Sequence, residues 1–212
     1  MSNVSEIYEK LNAHYGDLQW WPAKSPYEMI VGAVLTQNTA WSNVEKALAN
    51  FGENLTPRFV LDASPSELAN VIRPAGFFNQ KATYLKSVTE WFARYNFDVA
   101  APRALEILRP ELLAVKGVGK ETADSILLYA FGLPTFVIDA YTMRICARHP
   151  IDAGKGYDAV KAHFEANLPR DVQLYNNYHA AIVYTCKDFC RKRNPLCEKC
   201  PLGDTCRRQT HE

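Results

Sequence analysis

The sequence predicts an all-α protein of about ten helices joined by short loops. Apolar residues in segments 30–35 and 85–92 recur three and four positions apart, which is the period of a helix with one buried face. Ser25, Thr56 and Ser64 each precede a proline, an arrangement typical of an N-cap followed by the first helical residue. These two signals together define most of the predicted helices.

One segment, Thr135–Asp139, could form a short strand. It lies between the Gly-Leu-Pro break at 132–134 and another helical pattern. Runs of alternating apolar and polar residues bounded by hairpin turns are otherwise missing from the sequence. A short strand here would leave the predicted fold class unchanged.

Composition limits the classes of partner. The chain has 212 residues and a formal net charge of +1, which fits one large domain or two small ones. The charge argues against a wholesale polyanion binder, although it leaves room for a local basic patch. The polar N-terminus lacks a signal-peptide pattern, and the longest apolar run is too short to span a bilayer. We therefore expect a soluble, cytoplasmic protein.

Two glycines separate the helical patterns Leu105–Val115 and Lys120–Phe131. Positive φ at both glycines would turn main-chain N–H groups outward, and the next helix would add its unpaired N–H groups and positive dipole end. Such a turn suits a phosphate, although an ordinary helical hairpin would also have glycines here. The candidate DNA-binding residues are Lys116, Gly117, Val118, Gly119 and Lys120.

Four of the six cysteines crowd near the C-terminus: Cys190, Cys197, Cys200 and Cys206. In a chain without a secretion signal, such a cluster is more typical of a metal site than of disulfides.

The run KGVGKETADSILLYAFGLPTFVIDAYTMRICAR, residues 116–148, resembles the endonuclease III superfamily of DNA glycosylases. Gly117-Val118-Gly119 matches the hairpin of that superfamily, Gly132-Leu133-Pro134 its Gly/Pro-rich loop, and Asp139 its catalytic aspartate. The cysteine spacing, with six, two and five residues between successive cysteines, is that of the family's [4Fe–4S] loop. The resemblance extends from about residue 22 to residue 206.

This resemblance implies a two-domain, monomeric protein that binds double-stranded DNA containing a damaged base. A six-helix domain with the hairpin is expected at 22–131. Segments 1–21 and 132–212 are expected to form a terminal helical domain that carries the cluster.

An iron–sulfur cluster also fits the loop better than zinc does. Structural zinc sites usually pair two C-x2-C knuckles, and this loop has one. A cubane cluster needs one cysteine for each iron. Residues 185–212 carry seven basic and four acidic side chains, a net charge of +3, so we expect this loop to face phosphates.

Glu121 occupies the position where bifunctional members of the superfamily carry a nucleophilic lysine. A carboxylate cannot form a Schiff base. Lys120 lies one residue earlier, about 100° away around a helix, and is not expected to substitute. We therefore expect a monofunctional glycosylase that leaves the abasic strand intact.

Asp139 is the expected catalytic group. Cleavage of an N-glycosidic bond builds positive charge on the sugar, and a nearby carboxylate stabilises that charge or orients the attacking water. The same residue could also cap the helix that begins near Ala140.

Three segments, WWPAKSPYEMIVGAVLTQNTAW at 20–41, RPAGFFNQKA at 73–82 and GKETAD at 119–124, together resemble most closely the 3-methyladenine DNA glycosylase III branch. That branch also has Glu at the lysine position. Many of its members lack the cluster cysteines, which this chain retains. An alkylated purine is a cation, so aromatic faces could select it. The candidate pocket residues are Trp20, Trp21, Pro22 and Trp41, each of which could instead be core. Gln37 and Asn38 occupy the place where relatives fill the gap left by the flipped base, although either could be a helix cap.

Two alternatives remain open from the sequence. One is an endonuclease III-type glycosylase and lyase acting on oxidised pyrimidines. The other is a non-catalytic DNA-binding module that uses only the hairpin and the cluster.

Overall fold

The computed structural model describes residues 3–99 and 104–206, and the chain divides into two compact units. We call Ala23–Leu133 the central unit, and Met1–Pro22 together with Pro134–Glu212 the terminal unit. Throughout the described ranges every regular element is a helix. The predicted all-α class is therefore confirmed.

The described chain contains eleven α-helices. In chain order they are α1 (Asn3–Tyr15), α2 (Pro26–Leu35), α3 (Trp41–Phe51), α4 (Pro57–Asp62), α5 (Pro65–Val71), α6 (Phe78–Ala93), α7 (Leu105–Leu113), α8 (Lys120–Ser125), α9 (Ala140–Arg148), α10 (Tyr157–Asn167) and α11 (Val172–Asp188). A π-helical turn, Ile126–Ala130, continues α8. Short 3-10 turns lie at Gly52–Asn54, Arg73–Ala75 and Cys197–Lys199.

The serine and threonine caps predicted for α2, α4 and α5 are confirmed. Ser25 and Thr56 each accept a hydrogen bond from the backbone N–H three residues later. Ser64 does the same, and the Glu67 carboxylate accepts the Ser64 N–H at 2.8 Å, which completes a capping box. Each cap satisfies a backbone donor that the helix leaves unpaired.

The core of the central unit lies between α2 and α6. The Tyr27 ring stacks on Phe92 with centroids 6.2 Å apart, and its hydroxyl shares a 2.8 Å hydrogen bond with Thr89. Lys81 is also buried, and its Nζ donates to the carbonyls of Leu35 and Ala75 at 2.8 Å. These bonds fix the carboxyl end of α2, from which the chain continues into Gln37.

The terminal unit is built around aromatic side chains. Phe136 lies 4.6 Å from Phe164 and 5.6 Å from Tyr178, measured between ring centroids. The segment Thr135–Asp139 is not a strand. A side chain takes the place of a neighbouring strand as the hydrogen-bond partner of this segment, because the Glu165 carboxylate accepts the Phe136 N–H at 2.8 Å.

The buried side chain of Lys161 bonds both to the Phe136 backbone and to the Glu165 carboxylate that holds it. Lys161 Nζ lies 2.6 Å from Glu165 Oε1 and 3.2 Å from the Phe136 carbonyl oxygen. The backbone of Phe136, three residues before Asp139, is therefore held by two hydrogen bonds to side chains that form an ion pair with each other. Across the described ranges, none of the helices combines the length and apolar character needed to cross a membrane.

Candidate active-site and DNA-binding residues

The hairpin lies in the central unit, between α7 and α8. Gly117 has a φ of +85°, in the region that favours glycine. Gly119 has a φ of −89° and is the N-cap of α8. The expectation of positive φ is therefore correct for Gly117 and wrong for Gly119, because an N-cap residue adopts extended backbone.

The turn has an inner and an outer side. Val118 is buried, and the backbone of Gly117 lies against the ring of Tyr84. Lys116 and Lys120 are exposed. The hairpin is thus packed onto its own unit on one side and carries positive charge on the other.

Gln37 braces the hairpin from within the central unit. Its Nε2 donates to the Gly117 carbonyl and to the Thr122 hydroxyl, each at 2.9 Å. Asn38 is exposed and has a φ of +53°. The Gln37 amide is therefore engaged inside the protein, whereas Asn38 faces solvent.

An ion pair joins the two hairpin helices. Arg109 on α7 donates to both oxygens of Asp124 on α8, at 2.8 and 3.1 Å. The Asp124 side chain is completely buried. Bidentate pairs of this kind fix geometry as well as charge, so the hairpin is a rigid element.

Glu121 lies in the first turn of α8 and is exposed. A carboxylate near a helix N-terminus is favoured by the helix dipole. The structure thus presents an acid, and not an amine, at the position two residues after Gly119.

Asp139 is the N-cap of α9 in the terminal unit. Its Oδ1 accepts hydrogen bonds from the Thr142 N–H at 2.7 Å and from the Thr142 hydroxyl at 2.9 Å. Its Oδ2 lies 3.6 Å from Nε2 of His179 on α11. The Asp139 and His179 side chains are 12% and 7% exposed.

These contacts set the charge of Asp139. Burial acts to raise the pKa of the carboxyl group, but His179 and the two bonds from Thr142 outweigh burial and lower the pKa below its usual range. Asp139 is therefore a carboxylate at neutral pH, held in one orientation by its role as a cap.

Two of the candidate pocket tryptophans meet in the terminal unit. Trp20 and Trp21 pack edge to face with centroids 5.7 Å apart, and Trp20 packs the same way on Tyr184 of α11 at 5.6 Å. Pro22, which follows, is exposed. Trp41 is the first residue of α3 in the central unit and is half-buried.

Two further candidate site residues are missed by the sequence. Phe77 is 64% exposed, with a φ of +47°, at the start of α6. The doubled aromatic Phe77-Phe78 is not a signal by itself, since the adjacent rings of Trp91 and Phe92 are both buried. His179 gives no local signal at all, since only the packing of α11 against α9 brings it to Asp139.

The four clustered cysteines lie at and beyond the end of α11. Cys190 is buried, Cys197, Cys200 and Cys206 are half-buried, and none of the four forms a disulfide within the described residues. Arg148 on α9 donates to Cys190 Sγ at 3.1 Å and to the Arg191 carbonyl at 2.9 Å. The basic residues Arg207 and Arg208, and Glu212, lie outside the described residues.

The cysteine loop is tightly wound. A Cβ at Gly203 would stand 2.6 Å from the Cys197 carbonyl oxygen, so this position accepts only glycine without a backbone shift. The pKa of Cys200 is raised to about 11, by burial first and then by the thiols of the other three cysteines. Residues 3–99 and 104–206 contain no group of three or more His, Cys, Asp or Glu side chains arranged to hold a metal ion.

Comparison with known proteins decides the family. Residues 31–170 match the family described as the HhH-GPD superfamily of base excision DNA repair proteins. The chain belongs to this superfamily. It is also 47% identical, over 96% of its length and 95% of the relative's, to a Methanocaldococcus jannaschii protein provisionally named a DNA repair glycosylase. An endonuclease III of Haemophilus influenzae is 30% identical over 86% of the chain and 83% of the relative.

Solved structures of the HhH-GPD class give the same fold. A non-covalent endonuclease III–DNA complex matches with a TM-score of 0.82 and 23% identity, over 98% of this chain and 96% of the other. The 3-methyladenine DNA glycosylase of H. pylori, bound to 1,N6-ethenoadenine, matches with a TM-score of 0.76 and 28% identity, over 88% and 98%. This HhH-GPD protein is thus a DNA repair glycosylase by family and has the endonuclease III fold.

Proposed function

We propose that this protein removes an alkylated purine, such as 3-methyladenine, from double-stranded DNA and leaves the abasic strand uncut. The observation that carries the proposal is a pair of carboxylates: Asp139, buried and kept ionised, and Glu121 in place of an amine at the start of α8. We further propose that it acts as a monomer in the cytosol.

The contacts of Asp139 support a role in hydrolysis. Loss of the base leaves an electron-deficient sugar, and a carboxylate close to that sugar lowers the energy of the transition state. Because Oδ1 is occupied by the helix cap, Oδ2 is the oxygen available to the sugar or to the attacking water. A pre-oriented charge costs no reorganisation when the reaction occurs.

Glu121 supports hydrolysis without strand cleavage. A lyase of this superfamily needs an amine that attacks the sugar and forms an imine, and a carboxylate lacks that chemistry. We propose that Glu121 takes the place of the lyase amine and so leaves hydrolysis as the reaction. It does not act as a nucleophile.

The tryptophans support a cationic base as the substrate. The Trp20, Trp21 and Tyr184 rings form one edge-to-face cluster, which is a source of π faces. Aromatic faces attract a delocalised cation. An alkylated purine also leaves without strong acid assistance, which suits a site whose buried carboxyl group is ionised.

The hairpin and Phe77 support binding to a duplex with one base turned out. Main-chain groups at Gly117–Gly119, with Lys116 and Lys120, fit a phosphate and carry no sequence information. An exposed phenylalanine can wedge between base pairs and hold the duplex open. Asn38 is the exposed polar residue available to fill the gap.

We propose that Cys190, Cys197, Cys200 and Cys206 hold a [4Fe–4S] cluster. Each iron takes one cysteine sulfur, so the ligands surround a larger object than a single ion, and four cysteines spaced along one tightly wound loop fit that requirement. The bound cluster would fix the loop and its basic side chains for phosphate contact.

The reaction is tested with a duplex containing one methylated purine, analysed on denaturing gels with and without alkali. The wild type should release the base and give a strand that breaks only after alkali. Asp139→Asn should bind the same duplex but release the base at least about a thousandfold more slowly. Asp171→Asn is the matched control, because Asp171 also caps a helix of the terminal unit and should change stability without changing base release.

The result also decides between hydrolysis and lyase action. Strand breakage without alkali, together with a borohydride-trapped adduct in the wild type, would establish an endonuclease III-type lyase instead. Failure to release any base from methylated, deaminated, oxidised or mismatched duplexes would leave a non-catalytic DNA-binding protein. Glu121→Lys should gain a weak trapped adduct.

A further inference from the structure

We propose that His179 is a positioning residue for base release: its imidazole restrains Oδ2 of Asp139, the oxygen that the helix cap leaves unoccupied. The inference rests on the proposed function, since it assigns a part in the same reaction. It begins from the 3.6 Å separation between His179 Nε2 and Asp139 Oδ2.

The carboxylate has two unequal oxygens. Oδ1 accepts both Thr142 donors within 2.9 Å. Because rotation about the Asp139 χ2 angle moves both oxygens together, these bonds already limit that rotation from one side of the carboxylate. Nε2 of His179, 3.6 Å from Oδ2, limits it from the other side, so the carboxylate is restrained at both oxygens.

His179 is itself fixed by its helix. It lies in the middle of α11 and is 5% exposed, so its ring is surrounded by protein and not by solvent. α11 is tied to α9, the helix that Asp139 caps, at its far end: Arg144 donates to the Cys190 carbonyl at 3.1 Å. His179 on α11 thus fixes where the Asp139 carboxylate, at the start of α9, lies relative to α11.

A buried histidine could also be a purely structural residue, and the two roles predict different kinetics. A positioning residue affects the rate of the chemical step through Asp139 alone. A displacement of about 1 Å at a reacting group can slow a reaction about a hundredfold. A structural residue lowers stability and affects binding and rate together.

The test is single-turnover base release from a methylated-purine duplex, with DNA binding measured separately. His179→Leu should slow release by about ten- to a hundredfold while the Kd for a duplex with an abasic analogue changes by less than about threefold. His179→Gln should restore most of the rate, because its amide can donate near the position of Nε2. In the Asp139→Asn background, His179→Leu should have almost no further effect.

Tyr178→Phe is the matched control on the same helix. Tyr178 is fully buried and its hydroxyl donates to the Val4 carbonyl at 2.9 Å, away from Asp139. This variant should melt at a lower temperature yet release the base at the wild-type rate. Equal slowing in Tyr178→Phe and His179→Leu would overturn the proposal, as would equal effects of His179→Leu with and without Asp139.

A second measurement does not depend on activity. The chain has five histidines, and the imidazole signal that disappears in His179→Gln identifies His179 in a ¹⁵N spectrum. That signal should shift in Asp139→Asn and stay in place in Asp171→Asn. An unchanged spectrum in Asp139→Asn would refute the contact, whereas an inactive wild type with the expected shift would refute only the proposed function.

Discussion

Gly117 passes so close to Tyr84 that a Cβ on the glycine would stand 2.1 Å from Cγ of the ring. Gly119, two residues later, has open space around the same position and an ordinary φ. Tyr84 and the positive φ therefore require glycine at 117, whereas neither packing nor backbone conformation within the described residues requires glycine at 119.

Alanine substitutions should distinguish the two positions. Gly117→Ala should lower the free energy of unfolding by about 1–3 kcal/mol, because of its positive φ and the clash with Tyr84. Gly119→Ala should leave stability unchanged or raise it by up to about 1 kcal/mol, yet weaken binding to damaged and undamaged duplexes equally. Denaturant unfolding measures the stability of each variant, and fluorescence anisotropy measures its binding to damaged and undamaged duplexes. Weakening confined to damaged DNA would contradict a phosphate site at Gly119.

Phe77→Ala should weaken binding to duplexes with a flipped base more than binding to intact duplexes. The side chain is 64% exposed in the free protein, so its loss should change the unfolding free energy by less than about 0.5 kcal/mol. A wedge that replaces stacking should contribute about 1–3 kcal/mol per step. Phe97→Ala, which removes another exposed phenylalanine of the central unit, is the control and should bind normally. Equal binding by both variants would remove Phe77 from the DNA surface.

Lys81 should make the stability of the protein rise with pH in the alkaline range. Burial lowers the pKa of Lys81 to about 8, against about 10.4 for an unfolded lysine. Between these values the unfolded state holds more protons, so the unfolding free energy increases with pH, whereas below pH 8 the contribution is constant. The neutral amine still has two N–H groups for the carbonyls of Leu35 and Ala75.

This rise is measured by urea unfolding from pH 7 to 10 in the wild type and in Lys81→Met. The stability difference between them should change in favour of the wild type as the pH increases. Lys86→Met is the control, because Lys86 lies on the same helix and is half-buried, with one bond to the Leu61 carbonyl at 2.8 Å. A difference independent of pH would show that Lys81 keeps its ordinary pKa.

The cysteine loop should bind about four irons per chain and give a broad absorption at about 400 nm. Serine at Cys197 or Cys200 should abolish the absorption and most of the iron. Cys146→Ser is the control, because Cys146 lies on α9 outside the loop and burial raises its pKa to about 11. One zinc and no iron in the purified wild type would identify a zinc site.

Local chemistry made much of the fold predictable. The caps at Ser25, Thr56 and Ser64 depend only on bonds between residues three apart, so the sequence contains the whole signal. The prediction of a positive φ at Gly119 is wrong because this residue is the N-cap of α8 and not part of the turn. Which of the two it is depends on the residue at which α8 begins. The exact residue at which a helix begins or ends is set by packing, which sequence periodicity does not resolve.

The candidate site was predictable only in part, and for a different reason. Asp139 could be found because its place in a long motif resembles a known family. His179 could not, since it is one of many buried-looking positions on α11 and meets Asp139 only after two helices pack. Gln37 was assigned to DNA, whereas its amide also holds the hairpin through bonds to residues far away in sequence.

The terminal unit is discontinuous, and this order along the chain has a consequence for synthesis on the ribosome. The central unit is one uninterrupted segment and can fold once it has left the exit tunnel. Helix α1 must wait, because its partners α10 and α11 are translated last. At elongation rates of about 5–20 residues per second, the apolar face of α1 stays uncovered for roughly 10–35 seconds. A nascent chain that stalls before α11 would hold a folded hairpin without a completed terminal unit, and a chaperone would find α1 exposed.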